Sequence, residues 1–375
     1  MRVGLIAYGL DRPLSGIGRY SAELAQALVS LNSCVKLTLL TAGRPLGLGA
    51  ANSQSQAPLA GCRLLPGLVT FGNLMVPIVS RNLGLEIVHD PTGITPFGFG
   101  ASQARTVVTV HDVFAWAFPG TNSLLDRLIY HHWLPRILPW VDAVITDSQC
   151  SKDDIIRYLG VRADKVTVIP LGVNSEFSCI PEDGVQATLA RYRISLPYIL
   201  FLGAQDKRRN LPHLLQAYAR LRRQGERRLL VIAGAHRGQS GSIAQEWHSL
   251  GIEDSVIFLG HVANADLPAL YSGADLFVFP SLYEGFGLPP LEALACGTPV
   301  VCSNAASLPE VVGDAAVTFD PHNVEEMADA MRRVLANRDL REYLRQRGLQ
   351  RAAQFTWERT ARETVKVYEQ VLGRA

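Results

Sequence analysis

Glu284 and Glu292, with seven residues between them, bracket the part of the chain whose residue types best suit chemistry on a polyol phosphate. Between them lie Gly285-Phe286-Gly287-Leu288 and the pair Pro289-Pro290. A carboxylate accepts hydrogen bonds side by side from vicinal hydroxyls. Glycines at the start of a helix leave backbone N–H groups open to phosphate oxygens. The stretch from Pro280 to Pro299 therefore offers acceptors for sugar and ribose hydroxyls and donors for a diphosphate. For Glu292 alone, a carboxylate meeting a helix dipole is the ordinary alternative; Glu284, beside two glycines, has no such everyday explanation.

Charge of the opposite sign stands in Lys207-Arg208-Arg209, just beyond a strand ending near Gly203. A three-residue basic run is commonly a solvated patch, but one placed after a strand end can face a bound anion. Arg209 is the first candidate for a bidentate phosphate grip, with Lys207 and Arg208 as substitutes. His111-Asp112 closes another strand. Its imidazole can serve as a general base or bind a sugar, and Asp112 can set the tautomer or cap the next segment. Gly16 and Gly18, in Leu14-Ser15-Gly16-Ile17-Gly18-Arg19-Tyr20, open a helix where phosphate can sit; a plain tight turn explains them equally well. Ser21 replaces the third glycine of a dinucleotide fingerprint, and Thr41-Ala42-Gly43 brings no ribose carboxylate, which disfavours a nicotinamide enzyme. His89 either lines an acceptor surface or is a satisfied structural histidine. His131, His132, Trp133 and Trp140 form either a membrane-facing aromatic patch or a packed helix.

Elements of a particular kind must hold these residues. Short apolar runs alternate with helical-period segments throughout, the pattern of parallel sheets with helical crossovers. Strands are expected near 3–8, 35–41, 86–89, 106–110, 143–146 and 166–169, then near 198–202, 229–233, 256–259, 276–279, 299–302 and 317–319. Helices are expected over 21–31, 325–335 and 338–354, with a last one from Trp357 to Leu372. At 375 residues two α/β domains are expected, joined near the turn-rich stretch from Gly172 to Gly184. The fold class is thus two Rossmann-like doubly wound domains facing across a cleft, because such sheets bind ligands beyond the carboxyl ends of their strands.

Composition narrows function further. With 36 basic against 34 acidic residues, bulk electrostatics do not suit a nucleic-acid binder, and any anion must be bound locally. Six scattered cysteines without metal-ligand spacing read as reduced thiols of a cytoplasmic protein. No run reaches the roughly 18 to 20 apolar residues of a membrane span, and no signal peptide is expected; peripheral membrane association stays open. No D-x-D motif is present to bring a divalent ion to a diphosphate, so metal independence is expected and positive side chains are the remaining source of charge.

Glu284 to Glu292, followed by Ala293-Leu294-Ala295-Cys296-Gly297-Thr298-Pro299-Val300-Val301, resembles the E-x7-E signature of glycosyltransferase family 4. The resemblance extends to the Gly16 loop, Val110-His111-Asp112, Ile169-Pro170-Leu171-Gly172-Val173, the Gly203–Asn210 segment and Leu308-Pro309-Glu310-Val311-Val312. It implies the GT-B architecture, retention of anomeric configuration, no metal and no cofactor beyond a nucleoside-diphosphate sugar. Residues 1–172 would form the acceptor-side domain, with a C-terminal helix, 358–375, crossing back to it; residues 173–357 would bind the nucleotide sugar. By resemblance Glu284 contacts donor-sugar hydroxyls and Glu292 the ribose. The amides of Phe286, Gly287 and Leu288 meet sugar or diphosphate, His111 binds the sugar, and Val262 lies against the base. The family's usual Arg after Gly203 is Ala204 here, and its usual Lys is Arg209. The implied activity is transfer of a hexose, with mannose favoured, to a glycan or lipid-linked acceptor in polysaccharide assembly. A non-catalytic sugar-nucleotide-binding subunit and a GT-B phosphorylase or epimerase are the alternatives.

Overall fold

The computed structural model describes residues 1–8, 10, 16–31, 35–42, 55–62, 64–94, 96–97, 103–117, 128–195, 197–204, 206–234 and 246–374. These divide into two compact units, Met1–Gly172 with Thr356–Ala375, and Val173–Phe355.

The first unit holds seven parallel strands: β1 (Arg2–Ile6), β2 (Lys36–Thr41), β3 (Ser55–Pro58), β4 (Ile87–Asp90), β5 (Arg105–Thr109), β6 (Ala143–Thr146) and β7 (Val166–Val168). Their order across the sheet is β3-β2-β1-β4-β5-β6-β7. Val3 lies opposite both Leu37 and Ile87, so β1 is central and buried on both faces, as its apolar run requires. The order reverses direction between β1 and β4, which makes that gap the switch point. The edge strand β3 was not expected. Ser55-Gln56-Ala57-Pro58 has no β-branched residue, and its proline sits where an edge strand tolerates a missing N–H.

The helix after β1 runs Gly16–Ser30 and buries Leu24, Ala25 and Leu28. It starts five residues before the expected Ser21, so Gly16 and Gly18 form its first turn. Neither has a positive φ, which removes the tight-turn explanation; Leu14 and Ser15 lie outside the described residues. The final helix, Trp357–Val371, buries Thr360, Ala361, Thr364, Val367 and Tyr368 within this unit. Thr356 caps it by accepting from the Arg359 N–H, and the Thr360 hydroxyl donates to the Pro170 carbonyl at 2.8 Å. Gly172 packs against Thr356 and Trp357 so closely that a Cβ would lie 2.7 Å from the indole Cγ.

The second unit holds β8 (Tyr198–Leu202), β9 (Leu229–Ala233), β10 (Val256–Gly260), β11 (Leu276–Phe279), β12 (Val300–Ser303) and β13 (Ala316–Phe319). The order β10-β9-β8-β11-β12-β13 places the switch point between β8 and β11, where Leu276 and Phe277 pair with Ile199 and Leu200. Helices such as Leu211–Arg223 and Val324–Ala336 cover this sheet through Leu214, Leu215, Tyr218, Met327 and Met331, all fully buried. At the carboxyl end of β9, Gly234 has φ 136°, and a Cβ there would run into the Gly203 carbonyl. Only glycine fits.

Candidate functional site

The chemistry of the second unit gathers at its switch point. The basic turn follows β8 and the Glu284 loop follows β11, so the two adjacent strands deliver them to the same crevice. Lys207–Arg209 is a single 3-10 turn, capped by Asp206, whose carboxylate accepts from the Arg209 N–H. The Arg208 carbonyl accepts from the Leu282 N–H at 2.8 Å and from the Ser281 hydroxyl at 3.2 Å. The basic turn and the glutamate loop are therefore fastened by their backbones before any side chain is considered.

Their side chains then meet. Arg209 and Arg208 both donate to Glu284, Arg208 at 3.3 Å from Oε2, and Ser281 donates to Oε1 at 2.5 Å. The side chains are 13% and 8% exposed for Arg209 and Glu284, which takes the pair out of the weak surface regime. Burial pushes the Arg209 guanidinium below its ordinary pKa, with Glu284 opposing that shift; an arginine remains charged regardless. Its Cζ lies 4.9 Å over the Phe279 ring, and its buried Nε has no hydrogen-bond partner among the described residues. Lys207 belongs to the same turn, but no pairing with Glu284 joins it to the cluster.

Gly287 has φ 113° and caps the helix Leu288–Ala295. A Cβ there would stand 2.6 Å from Leu308 Cδ2. Pro289 and Pro290 occupy the first turn, where no N–H partner is needed. Glu292 is buried inside that helix at 4% exposure, and its Oε2 accepts from the Tyr271 hydroxyl at 3.1 Å. It lies beyond the helix start, so the dipole explanation does not account for it. Phe286 is buried against Phe355, with ring centroids 5.8 Å apart. Val262, after β10, is buried at 5%.

Several residues that hold this site escaped the sequence reading. The Ser307 hydroxyl reaches the carbonyls of Glu284 at 2.9 Å and Phe286 at 2.7 Å, and so pins the loop from behind. Ala306 before it has φ 51°, an unusual conformation for a residue with a Cβ. Serines at loop positions carry no sequence signal that separates them from ordinary turn formers.

In the first unit His111 follows β5. Its Nδ1 lies 2.8 Å from Asp147 Oδ2 and its Nε2 3.1 Å from the Pro91 carbonyl. Both partners offer acceptor oxygens, which favours the protonated ring. Burial works against that charge, but the Asp147 carboxylate, its hydrogen bond and the Pro91 carbonyl together raise the pKa. Of the two roles open to Asp112, orienting the imidazole is not the one it takes: the carboxylate on His111 is Asp147, at the end of β6. Asp112 instead accepts from the Phe114 N–H at 3.0 Å and caps the next segment.

His89 is fully buried between Tyr368 and Thr109, which settles it as a structural histidine. Burial, and then the neighbouring His111 charge, lower its pKa to about 3. In the 131–140 segment Leu134, Ile137 and Leu138 are buried and the Trp133 indole donates to the Ile94 carbonyl, whereas Trp140 is exposed. Packing accounts for most of that segment.

Among the described residues no group of three or more His, Cys, Asp or Glu side chains is placed to hold a metal ion. Five cysteines there are free; Cys34 lies outside the described residues. No described helix is long and apolar enough to cross a membrane.

Two doubly wound parallel-sheet units, one with two guanidiniums and a glutamate drawn together at its switch point, define the GT-B class of glycosyltransferases. The chain belongs to glycosyltransferase family 4. Residues 14–177 match the family model described as Glycosyltransferase Family 4, and residues 194–351 match that of Glycosyl transferases group 1. It is 34% identical to the O-antigen chain mannosyltransferase B of Escherichia coli, over 98% of this chain and 100% of that one. A serotype-specific mannosyltransferase of the same organism is also 34% identical, over 62% of this chain and 29% of its own length. The solved sucrose-phosphate synthase of Thermosynechococcus elongatus superposes with a TM-score of 0.80 at 22% identity, covering 100% of both chains; it shares the fold.

Proposed function

We propose that this glycosyltransferase moves mannose from GDP-mannose, with retention, to a glycan or lipid-linked acceptor in surface-polysaccharide assembly. The nearly full-length likeness to an O-antigen mannosyltransferase supports the sugar and the acceptor class. The observation that carries the site assignment is the convergence of Arg208 and Arg209 on Glu284 at the β8/β11 switch point.

In this reading the ion pairs are the resting arrangement. An incoming diphosphate exchanges with Glu284 for the two guanidiniums, and the released carboxylate turns to the hydroxyls of the donor sugar. Arg208 thereby supplies the second phosphate cation that Ala204 does not. Glu292 serves the ribose, the amides from Phe286 to Leu288 the sugar and diphosphate, and Val262 the base. Gly16 and Gly18, in the first turn of the helix after β1, serve the phosphates of the donor. His111 serves the sugar through Nε2, which gives up its contact with the Pro91 carbonyl as the sugar arrives. The acceptor oxygen bonds to the anomeric carbon as the bond to the leaving phosphate breaks, and the acceptor proton goes to the departing diphosphate. Preorganised cations stabilise that charge, and losing one such donor costs about 3 kcal/mol of barrier.

A thermal-shift panel of sugar nucleotides tests the donor. GDP-mannose at 100-fold over its Kd should add about 2.7 kcal/mol of stability, and UDP-sugars much less. Slow hydrolysis of GDP-mannose that disappears in Glu284→Ala supports catalysis at this site. A panel in which another nucleotide sugar stabilises the protein most would overturn the assignment of mannose.

A further inference from the structure

Beyond the donor site, the first unit contains a buried polar chain that no step above uses. The Tyr368 hydroxyl on the final helix lies 2.7 Å from His89 Nδ1, and His89 Nε2 lies 2.8 Å from Thr109 Oγ1. Thr109 Oγ1 in turn lies 3.1 Å from the Tyr20 hydroxyl. All four side chains are at most 2% exposed. The Tyr20 ring meets the His111 ring edge to face, with centroids 4.6 Å apart and planes at 82°. Tyr20 also has a tilted contact with Trp357, with ring centroids 5.9 Å apart.

We propose that Tyr20 is a positioning residue for His111, and that Tyr368, through His89 and Thr109, sets where Tyr20 stands. The final helix thus belongs to the sugar-binding apparatus as well as to the core. Polarity within the chain supports this. A neutral His89 has one N–H and one lone pair, so it accepts from one hydroxyl and donates to the other. Its two neighbours are therefore held in a fixed donor order, and a buried chain of this kind is costly to break at any link. His111 is fastened at its nitrogens by Asp147 and Pro91, which leaves rotation about the line joining them. The Tyr20 ring blocks that motion. Tyr20 sits one turn into the helix that begins at Gly16, so helix start and imidazole are placed by the same side chain.

The functional part of this inference rests on the proposed role of His111 in sugar binding; its structural part does not. Three variants, Tyr20→Leu, Tyr20→Phe and Tyr368→Phe, are compared by the ring resonances of isotope-labelled His111 without ligand, and by kcat and KM for GDP-mannose hydrolysis. Tyr20→Leu should displace the His111 resonances and lower kcat by roughly 10- to 100-fold, as misplacing a contact group does, with KM changed less. Tyr20→Phe keeps the ring but cuts the link to Thr109, so it should recover part of the kcat loss and displace the His111 resonances as Tyr368→Phe does. Tyr368→Phe should displace the same resonances although it does not touch His111. Unchanged resonances in Tyr20→Leu would overturn the positioning role, and unchanged resonances in Tyr368→Phe the relay. If the wild type does not hydrolyse GDP-mannose, the donor reading fails and the resonance comparison still decides this one.

Discussion

At the level of single residues, two histidines of one unit have their pKa values pushed in opposite directions. His89 is wedged between hydroxyls with no carboxylate partner, and its folded pKa is about 3, well below the unfolded value near 6.5. Its contribution to stability is present in full above pH 6.5. It is lost as pH falls from there toward 3, at about 1.4 kcal/mol per unit. His111 has a raised folded pKa, so its contribution is complete below the unfolded value and is lost as pH rises through the folded one. Denaturant titrations across pH should therefore show an acid limb and an alkaline limb. His89→Gln should flatten the acid limb and leave the alkaline limb in place. An acid limb of equal slope in that variant would contradict the assignment. The two roles were not separable in the sequence: both histidines lie at the ends of apolar runs, and what distinguishes them is Asp147, 36 residues beyond His111 and just past the end of a different strand.

Among the elements, those built from long apolar runs were legible in advance, and β8, β9 and β11 run over 198–202, 229–233 and 276–279 as expected. Burial on both faces of a parallel sheet leaves a run that no competing pattern imitates. The polar edge strand β3 and the early start of the Gly16 helix were hidden, because pairing partners and helix packing override weak local propensity. The candidate site was legible for the same reason in part. Glu284, Gly287 and Arg209 mark themselves by type and spacing, whereas Ser307, Tyr271 and Asp147 act through contacts made only after folding. The loop–helix element also makes its own prediction. Gly287→Ala places a Cβ at φ 113° against Leu308, a strain of about 1–3 kcal/mol imposed where the helix start must face the ligand. Calorimetry should show GDP-mannose affinity reduced at least tenfold. Gly160→Ala, at φ 66° with open space around the added Cβ, should lower the melting temperature and leave that affinity unchanged. Equal binding losses in both would mean that Gly287 matters only for folding.

For the molecule as a whole, the proposed function requires an exchange of partners. Arg209 and, less deeply, Arg208 are withdrawn from solvent, and a guanidinium so placed is destabilising when left unpaired, by up to roughly 3–5 kcal/mol for a fully buried one. In the proposed reading Glu284 satisfies both guanidiniums until the diphosphate arrives, and the same carboxylate then becomes a ligand for the sugar, which would couple donor binding and sugar recognition through one side chain. The most direct measurement is the affinity of wild type and Glu284→Gln for GDP and for GDP-mannose. With its internal competitor neutralised, the variant should bind GDP at least as tightly as wild type while losing the advantage GDP-mannose has over GDP. A Glu284→Gln protein that binds GDP more weakly than wild type, yet still prefers GDP-mannose by the same factor, would contradict the exchange.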